Sequence, residues 1–344
     1  MKKTLLFLFF ALFSNGIFAV LGVKVVNVST PGTLRTFFST LEKTTVTSLT
    51  VTGAIDARDF KCMRDTLKAL SILDLGGAII QGYIGSDGTI SGTNINYPAN
   101  EIPANSFFNN DIRPSVSKIS LTSIVFPTTV NSIGDQAFFQ CVGLIGSLSF
   151  PSSVNSIGNS AFQECTGLNG SLILPNSLTV VKNCAFGWCA GFTELVMGSM
   201  VSSIESEAFT DCYGLKKISI ARALPPSIAG NSFGFDKSNC TLYVPVGASS
   251  AYKIAENWSS FLLISEKNFS TEMQNISERC IRIYSAKSKV CIEGVSKNEV
   301  ISIYSVNGRL LRTIKSQGKM ISISLPLSNV YFVKTKFNTW KVVM

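Results

Sequence analysis

Four of the nine cysteines recur at a nearly constant interval along the chain. They are Cys141, Cys165, Cys189 and Cys212, separated by 24, 24 and 23 residues. Thiolates can ligate a metal or pair into disulfides, whereas protonated thiols pack as small hydrophobic groups. Because apolar residues recur at the same interval, we favour a buried column of structural thiols over a metal site or a set of disulfides.

Other residue types that carry chemistry are absent or poorly placed. The chain has no histidine, which excludes triads, zinc sites and acid–base steps that use imidazole. Asp56, Asp59 and Asp65 suggest an acidic metal site, but a capped and solvated helix face explains them better. No Gly-rich phosphate loop, nucleophile elbow or EF-hand loop is present. The sequence therefore predicts no catalytic residue, no metal and no cofactor. A catalytic pair of carboxylates from distant coils remains an alternative.

The elements that position these residues belong to a repeat. "SIVFPTTVNSIGDQAFFQCVGL", from Ser123, is nearly copied by "SLSFPSSVNSIGNSAFQECTGL", from Ser147. Phenylalanine recurs in successive units, at Phe138, Phe162, Phe186, Phe209 and Phe233. A second apolar column holds Ile133, Ile157, Val181, Ile204 and Ile228. Self-similarity with a period of about 20 to 29 residues is typical of a leucine-rich solenoid.

Each unit is interpreted as one coil of that solenoid. "SLSF" alternates outward serines with Leu148 and Phe150 and predicts a short parallel strand, which Pro151 ends. "NSAFQEC" places Phe162 and Cys165 three residues apart, which predicts a helical turn with both side chains facing the core. One coil cannot bury such a face, so the coils must stack on a continuous core.

The pattern "FPxSVxSIGxxAFxxCxGL" resembles the BspA-type leucine-rich repeats of bacterial surface proteins, from Ser123 to about Phe261. Residues 20–103 read instead as an αβ cap with a first irregular repeat and a loop inserted at residues 82–100, and they resemble the N-terminal segment of Bacteroidetes members. The predicted fold is thus an α/β leucine-rich repeat solenoid of short parallel strands and helical turns, with an N-terminal αβ cap and a small C-terminal antiparallel β-sandwich.

The chain begins with the features of a cleavable secretory signal. Two lysines precede an apolar run that is too short to span a membrane, and Ile17 and Ala19 form the cleavage pattern. We therefore expect residues 1–19 to be removed and the mature protein to leave the cytoplasm without a transmembrane segment. Disulfides form in exported proteins, and Cys280 and Cys291, which flank a tight turn, best suit one.

The positive charge is concentrated at the C-terminal end. Residues 276–344 hold twelve Lys and Arg against three Glu, which equals the net charge of +9 for the whole chain. Alternating apolar residues and the turn at Asn307-Gly308 predict antiparallel strands. "ISIYSVNGRLL", "VYFVK" and "WKVVM" resemble the type A sorting domain of the type IX secretion system, although Asn329 replaces the usual Gly. Residues 266–275 read as a linker between this domain and the solenoid at 104–265.

The outward positions of the repeat strands form the predicted partner-binding surface. They are small or apolar and include Val125, Ser149, Ile173, Val196, Ser219 and Tyr243. An uncharged face suits protein binding, while ordinary exposure of β-forming residues explains it equally well.

Two classes of function remain open, and a third is disfavoured. The resemblance implies a non-enzymatic adhesin at the cell surface or outside the cell that binds a protein or glycan of a host or bacterial surface. The secretion machinery would contact the C-terminal domain, and nucleic acid is not an expected partner. The alternatives are a structural envelope component and a secreted glycan-acting enzyme, against which the missing histidine argues.

Overall fold

The computed structural model describes residues 22–112, 114–269, 282–286, 289–293, 298, 300–305, 309–317, 321–325, 330–334 and 339–343. The predicted signal peptide, Cys280 and most of the predicted linker lie outside this range. Among the described residues, no helix is both long and apolar enough to cross a membrane.

Parallel strands form the broad side of a solenoid, which confirms the stacked-coil prediction. Two sheets share this side, with neighbouring strands paired in parallel. The first contains β1 (Val23–Val28), β2 (Ser48–Ile55), β3 (Ile72–Ile80) and β9 (Ser123–Val125). The second contains β11 (Gly146–Ser149), β13 (Leu168–Ile173), β15 (Phe192–Met197), β17 (Lys217–Ile220), β19 (Thr241–Pro245) and β20 (Leu263–Lys267).

Very short strands form a second side of each coil. They pair in parallel as two three-stranded sheets. Their members are β6 (Glu101–Ile102), β10 (Ser132–Ile133), β12 (Ser156–Ile157), β14 (Val180–Val181), β16 (Ser203–Ile204) and β18 (Ser227–Ile228). In the last five of these strands the second residue belongs to the apolar column read from the sequence. It packs in the core shared with the broad side, as does Ile102 of β6, which the sequence reading did not include.

The third side consists of successive β-turns, so the predicted helical turn is wrong. Within a coil, Cys165 N donates to Phe162 O (3.2 Å), which closes a turn of four residues. Between coils, Phe138 N donates to Ala161 O (2.8 Å) and Gln140 N donates to Gln163 O (2.8 Å). Gln140 has a φ of +54°, a left-handed conformation that a type II turn requires at its third residue. Alternate N–H groups therefore bond the next coil instead of their own, which a helix does not allow.

Glycine permits the close stacking at the end of each turn. A Cβ at Gly143 would lie 2.0 Å from Ile119 O, and a Cβ at Gly167 would lie 2.3 Å from Val142 O. Gly191 and Gly214 meet carbonyl oxygens of the preceding coil at 2.3 and 2.4 Å in the same way. Any side chain here would push neighbouring coils apart, so this column sets their spacing.

The predicted N-terminal cap is built from coils of the same stack. Leu73 on β3 is in parallel register with Ile124 on β9, the first strand with the repeat pattern. Opposite the strands lie a 3₁₀ helix (Leu34–Phe37), α1 (Glu42–Thr45) and α2 (Ala57–Asp65). Leu34 of the 3₁₀ helix and Phe60 and Met63 of α2 join the core of the repeats, whereas α1 has no buried residue. The N-terminal strands thus extend the solenoid.

Asp56 and Asp59 cap the start of α2 as predicted, but the expectation that they are solvated is wrong, because they are 1% and 0% exposed. Asp56 caps the helix by accepting from Arg58 N (2.9 Å), and Asp59 accepts from Asp56 N (2.9 Å). Asp59 also accepts from the backbone of Gly32 (2.7 Å) and Leu34 (2.9 Å). Both carboxylates are therefore occupied by backbone N–H groups and hold the loop before the 3₁₀ helix against α2.

An insertion between β3 and β9 contains two hairpins. They pair β4 (Tyr83–Gly85) with β5 (Ile95–Tyr97), and β7 (Phe108–Asn109) with β8 (Val116–Ser117). The predicted loop at 82–100 thus contains the first hairpin. The buried guanidinium of Arg64 fastens the insertion, since its Nη1 donates to Thr89 O (2.8 Å), Asn105 O (2.8 Å) and Phe108 O (3.1 Å).

The C-terminal residues form two antiparallel sheets. One has the order β21 (Arg282–Ala286), β22 (Lys289–Glu293), β25 (Ile321–Ser324). The other has the order β24 (Leu310–Lys315), β23 (Val300–Ser305), β26 (Val330–Lys334), β27 (Thr339–Val343). Strands β23 and β24 are antiparallel neighbours on either side of the predicted Asn307-Gly308 turn, which itself lies outside the described residues.

A stack of phenylalanine rings fills the centre of the solenoid. Phe138, Phe162, Phe186, Phe209 and Phe233 are at most 2% exposed. Consecutive ring centroids are 4.8, 5.6, 5.7 and 5.1 Å apart, and the ring planes differ by at most 12°. The stack begins with Phe107, 5.1 Å from Phe138, and ends against Trp258, 5.9 Å from Phe233.

We expect Phe186→Ala to lower the free energy of unfolding by about 3 to 5 kcal/mol, the usual range for a buried phenylalanine. The loss should spread to both neighbouring coils, because solenoid stability depends on nearest-neighbour contacts. Chemical denaturation followed by circular dichroism measures the change. Phe37→Ala, at a side chain 37% exposed, is the control and should cost much less. An equal effect of the two changes would contradict the role of the stack.

Candidate binding surface

The cysteine column lies inside the turn side of the solenoid. Each thiol donates to the carbonyl of the stacked phenylalanine in the preceding coil: Cys165 Sγ lies 3.1 Å from Phe138 O, and Cys189 Sγ lies 3.1 Å from Phe162 O. Burial raises the pKa of Cys141 and of Cys212 to about 12. These groups are therefore protonated donors, unsuited to ligate a metal or to attack as thiolates.

Seven cysteines in the described part of the chain are free thiols. Within the same residues, no group of three or more Cys, Asp or Glu side chains is arranged to hold a metal ion. Cys184 is the partly exposed member, and its Sγ donates to Glu207 Oε2 (3.5 Å). The predicted Cys280–Cys291 disulfide lies outside what is described, since Cys280 and the Cys291 side chain are not placed. The column is thus part of the core and leaves the outer surfaces as candidate sites.

The outward face of the broad side brings most of the predicted binding residues together. Parallel register places Ser149 beside Ile173, and Ile173 beside Val196. The same row continues through Ser219 to Tyr243. Val125 lies on β9, in the adjacent sheet. Because these strands are fixed by the core beneath them, the row forms a rigid surface.

The exposure of this row is uneven, and one expectation about it is wrong. Ser149 is exposed, and Val125, Ile173 and Tyr243 are partly exposed. Val196, expected to be exposed, is only 9% exposed, and Ser219 is 1% exposed. Val196 takes no part in the interior core, so its burial arises on the outer side.

The chain that leaves β20 lies against the C-terminal half of this row. We call residues 267–269 the strap. Lys267 Nζ donates to Ser219 Oγ (3.0 Å) and lies 5.1 Å from the ring centroid of Tyr243. The same ammonium lies 4.8 Å from the ring centroid of Phe269, which is 8% exposed and also outside the interior core. Such cation–π contacts contribute about 0.5 to 2 kcal/mol each. The strap therefore contacts the C-terminal half of the row, which we call the closed half because Val196 and Ser219 are buried there, and the half around Ser149 and Ile173 is open.

In the next row of the face, two oppositely charged residues lie on neighbouring strands. Glu194 on β15 is in register with Lys217 on β17. Ser171 Oγ donates to Glu194 Oε2 (3.1 Å). This carboxylate and ammonium offset each other's charge, so the open half presents little net charge to a partner.

The strap was not recognised in the sequence, where its residues read as the start of a linker. The available signal was the alternation of Lys267 and Phe269, which continues the period-2 pattern of β20 past the expected end of the solenoid. The start of the phenylalanine stack was also missed. Phe107 precedes Phe138 by 31 residues instead of 24, because the insertion shifts the interval.

Comparison with known proteins gives a family match for the repeat segment of the chain. Residues 115–241 match the model of the BspA type Leucine rich repeat region in six copies. The match confirms the resemblance read from the repeats and covers the coils that carry the stack and the open half of the face. No curated protein sequence matches the chain.

Two solved structures are similar to parts of the chain. A leucine-rich repeat protein from Bacteroides ovatus is 19% identical, with a TM-score of 0.36, over 64% of this chain and 51% of that protein. A leucine rich cell surface protein from Faecalibacterium prausnitzii is 15% identical, with a TM-score of 0.23, over 73% of this chain and 81% of that protein. The chain thus spans about half the length of the Bacteroides ovatus protein.

Removing the strap's aromatic ring should open the closed half of the row. In a Val196→Cys background, we expect Phe269→Ala to increase maleimide labelling of residue 196 at least about tenfold, because local opening governs access to buried groups. Peptide mass spectrometry separates this label from that on Cys184. The control is Leu262→Ala, a nearby side chain that is 74% exposed. Equal labelling of the two variants would show that the strap does not cover the face.

Proposed function

We propose that the solenoid is a non-enzymatic binding module and that it captures a protein through the open half of the outward face. The observation that carries this proposal is the row from Ser149 to Ile173, which is accessible and nearly uncharged on strands held by a rigid core. Binding energy tends to concentrate where apolar side chains are fully desolvated at the centre of an interface. Ile173 is suited to that position, with serines around it that adapt to a partner's polar groups.

The open half favours a protein over a glycan at this place. It offers small hydroxyls and aliphatic side chains, while Tyr243, the aromatic ring of the row, contacts Lys267 of the strap. A flat face of this kind suits the apolar patch of a protein surface. A structural envelope component whose coils contact only copies of this chain is the second candidate, supported by the same apolar row. A secreted glycan-acting enzyme is the third candidate.

The proposal also assigns a role to each segment of the chain and a location to the protein. Residues 1–19 would direct export, residues 20–103 and 104–265 would form the solenoid, and residues 276–344 would form a sandwich that contacts the secretion machinery. The basic charge of the last segment and its antiparallel strands support a separate domain. The protein would then act at the cell surface or outside the cell.

Positive charge in the open half should abolish protein capture. We expect the double variant Ser149→Lys and Ile173→Lys to keep its fold, since exposed substitutions usually change stability by about 0.5 kcal/mol or less. Binding should fall sharply, because both ammonium groups would have to be desolvated in the interface. The assay is capture of proteins from host matrix and bacterial surface extracts, followed by affinity measurement with the partner obtained.

The matched control is Thr128→Lys with Thr179→Lys, which adds the same charge at two exposed positions that precede the short strands of the second side. Full binding by the first double variant would move the site off this face. Self-association of the native chain that the first variant loses, without any captured partner, would favour the structural envelope role.

Removal of residues 276–344 should trap a folded solenoid in the periplasm. The solenoid keeps its strap and its core in this truncation, so circular dichroism and thermal melting should show a cooperative fold. Protease shaving of whole cells measures surface display, and the full-length protein is the control. Equal surface display of the truncated and full-length proteins would refute the sorting role.

A further inference from the structure

A tryptophan occupies a left-handed backbone position on the turn side of the solenoid. The same turn position is left-handed in four coils, with φ of +54° at Gln140, +59° at Glu164, +61° at Trp188 and +54° at Asp211. The turn geometry imposes this conformation on every coil, and a bulky side chain adds to its cost. The fold alone would favour glycine or a small polar residue here, so the presence of the indole calls for another reason.

The packing of the indole does not supply that reason. Trp188 is partly exposed, and no aromatic ring among the described residues stacks on it. Trp258 is a useful contrast, because it is 1% exposed and packs against Tyr252 and Phe233. One indole closes the end of the core, while the other lies on the surface.

The neighbours of Trp188 add a second ring and two carboxylates. Trp188 N donates to Thr210 O (2.7 Å), which places its backbone beside Asp211 in the next coil. Tyr213, 61% exposed, donates its hydroxyl to Asp211 Oδ1 (2.6 Å). On the other side, Glu164 occupies the position equivalent to Trp188 in the preceding coil. Trp188 therefore occupies the turn position between those of Glu164 and Asp211, and the exposed Tyr213 follows Asp211 by two residues in the next coil.

We propose that Trp188, Tyr213, Asp211 and Glu164 form a binding site for a neutral hexopyranose oligosaccharide. The C–H face of a pyranose ring is apolar and packs on an aromatic surface, and Trp and Tyr combine such a surface with a polar edge. The ring hydroxyls are donors that a carboxylate accepts, and each ionised carboxylate has about four acceptor positions. Asp211 uses one of them for Tyr213, and Glu164 uses one for Gln140 Nε2 (2.9 Å).

The charge of the site selects among sugars. Two carboxylates repel sulfate and carboxylate groups, so anionic oligosaccharides should bind poorly, whereas neutral ones meet acceptors without repulsion. Neighbouring coils are separated by about 4.8 Å, as in any parallel ladder. The two rings thus lie on adjacent coils, close enough for consecutive sugar units of one chain. This site is on the turn side and is independent of the sheet face proposed for protein capture.

Tryptophan fluorescence tests the site directly. The chain contains three tryptophans, of which Trp258 is buried. Trisaccharides of glucose, N-acetylglucosamine, mannose and galactose are titrated at millimolar concentrations, and a heparin trisaccharide is the anionic comparator. We expect at least one neutral trisaccharide to bind in calorimetry and to protect an exposed indole from acrylamide quenching, while the heparin trisaccharide does neither. Absence of binding by every neutral trisaccharide would overturn the proposal.

A glycine substitution separates a binding role from a structural one. Trp188→Gly removes the ring and suits the left-handed backbone, so we expect an unchanged or higher melting temperature and at least about a tenfold loss of sugar affinity. Gln136→Gly is the matched control, because Gln136 has a φ of +54° in another turn and should keep full affinity. Undiminished sugar binding by Trp188→Gly, or a large fall in its melting temperature, would overturn the assignment.

Discussion

The fixed spacing between coils is the constraint on which the rest of the structure depends. Backbone N–H groups of one coil bond carbonyls of the next, as from Phe162 N to Ala185 O (2.9 Å). That spacing brings the phenylalanine rings into contact, and glycine must stand wherever a carbonyl of the preceding coil comes too close. A small donor fits best over the phenylalanine carbonyl, which explains cysteine at Cys189 and its equivalents. The cysteines therefore serve the packing between coils and not a reaction.

The same constraint shapes the functional surfaces. Each coil contributes one residue to every outward column, so a surface extends along the solenoid without any loop having to be ordered on binding. The outward strand row offers small aliphatic and hydroxyl groups, and the strap divides it through Lys267. The turn side offers the indole of Trp188 and the phenol of Tyr213, with Glu164 and Asp211 at the neighbouring turn positions. Two surfaces of different chemistry thus share one rigid core.

Periodicity predicted the stacked coils and their inward columns, because each inward residue repeats at the interval set by the spacing. It did not distinguish a helical turn from successive β-turns, since Phe162 and Cys165 face the core in either. The N-terminal coils were not recognised as coils of the solenoid, because their strands lack the repeat motif. The insertion held by Arg64 also breaks the repeat interval. The burial of Val196 and Ser219 was beyond sequence patterns, because contacts such as that of Lys267 with Ser219 join residues 48 positions apart in the chain.

In the proposed function, a protein partner binds at the open half of the sheet face. Hydroxyl-radical footprinting of the protein with its captured partner tests it most directly, since the method reports the accessibility of individual side chains. Oxidation of Ile173 should fall on binding, while oxidation of Tyr213 on the turn side should be unchanged. Protection of Tyr213 with unchanged oxidation of Ile173 would contradict it.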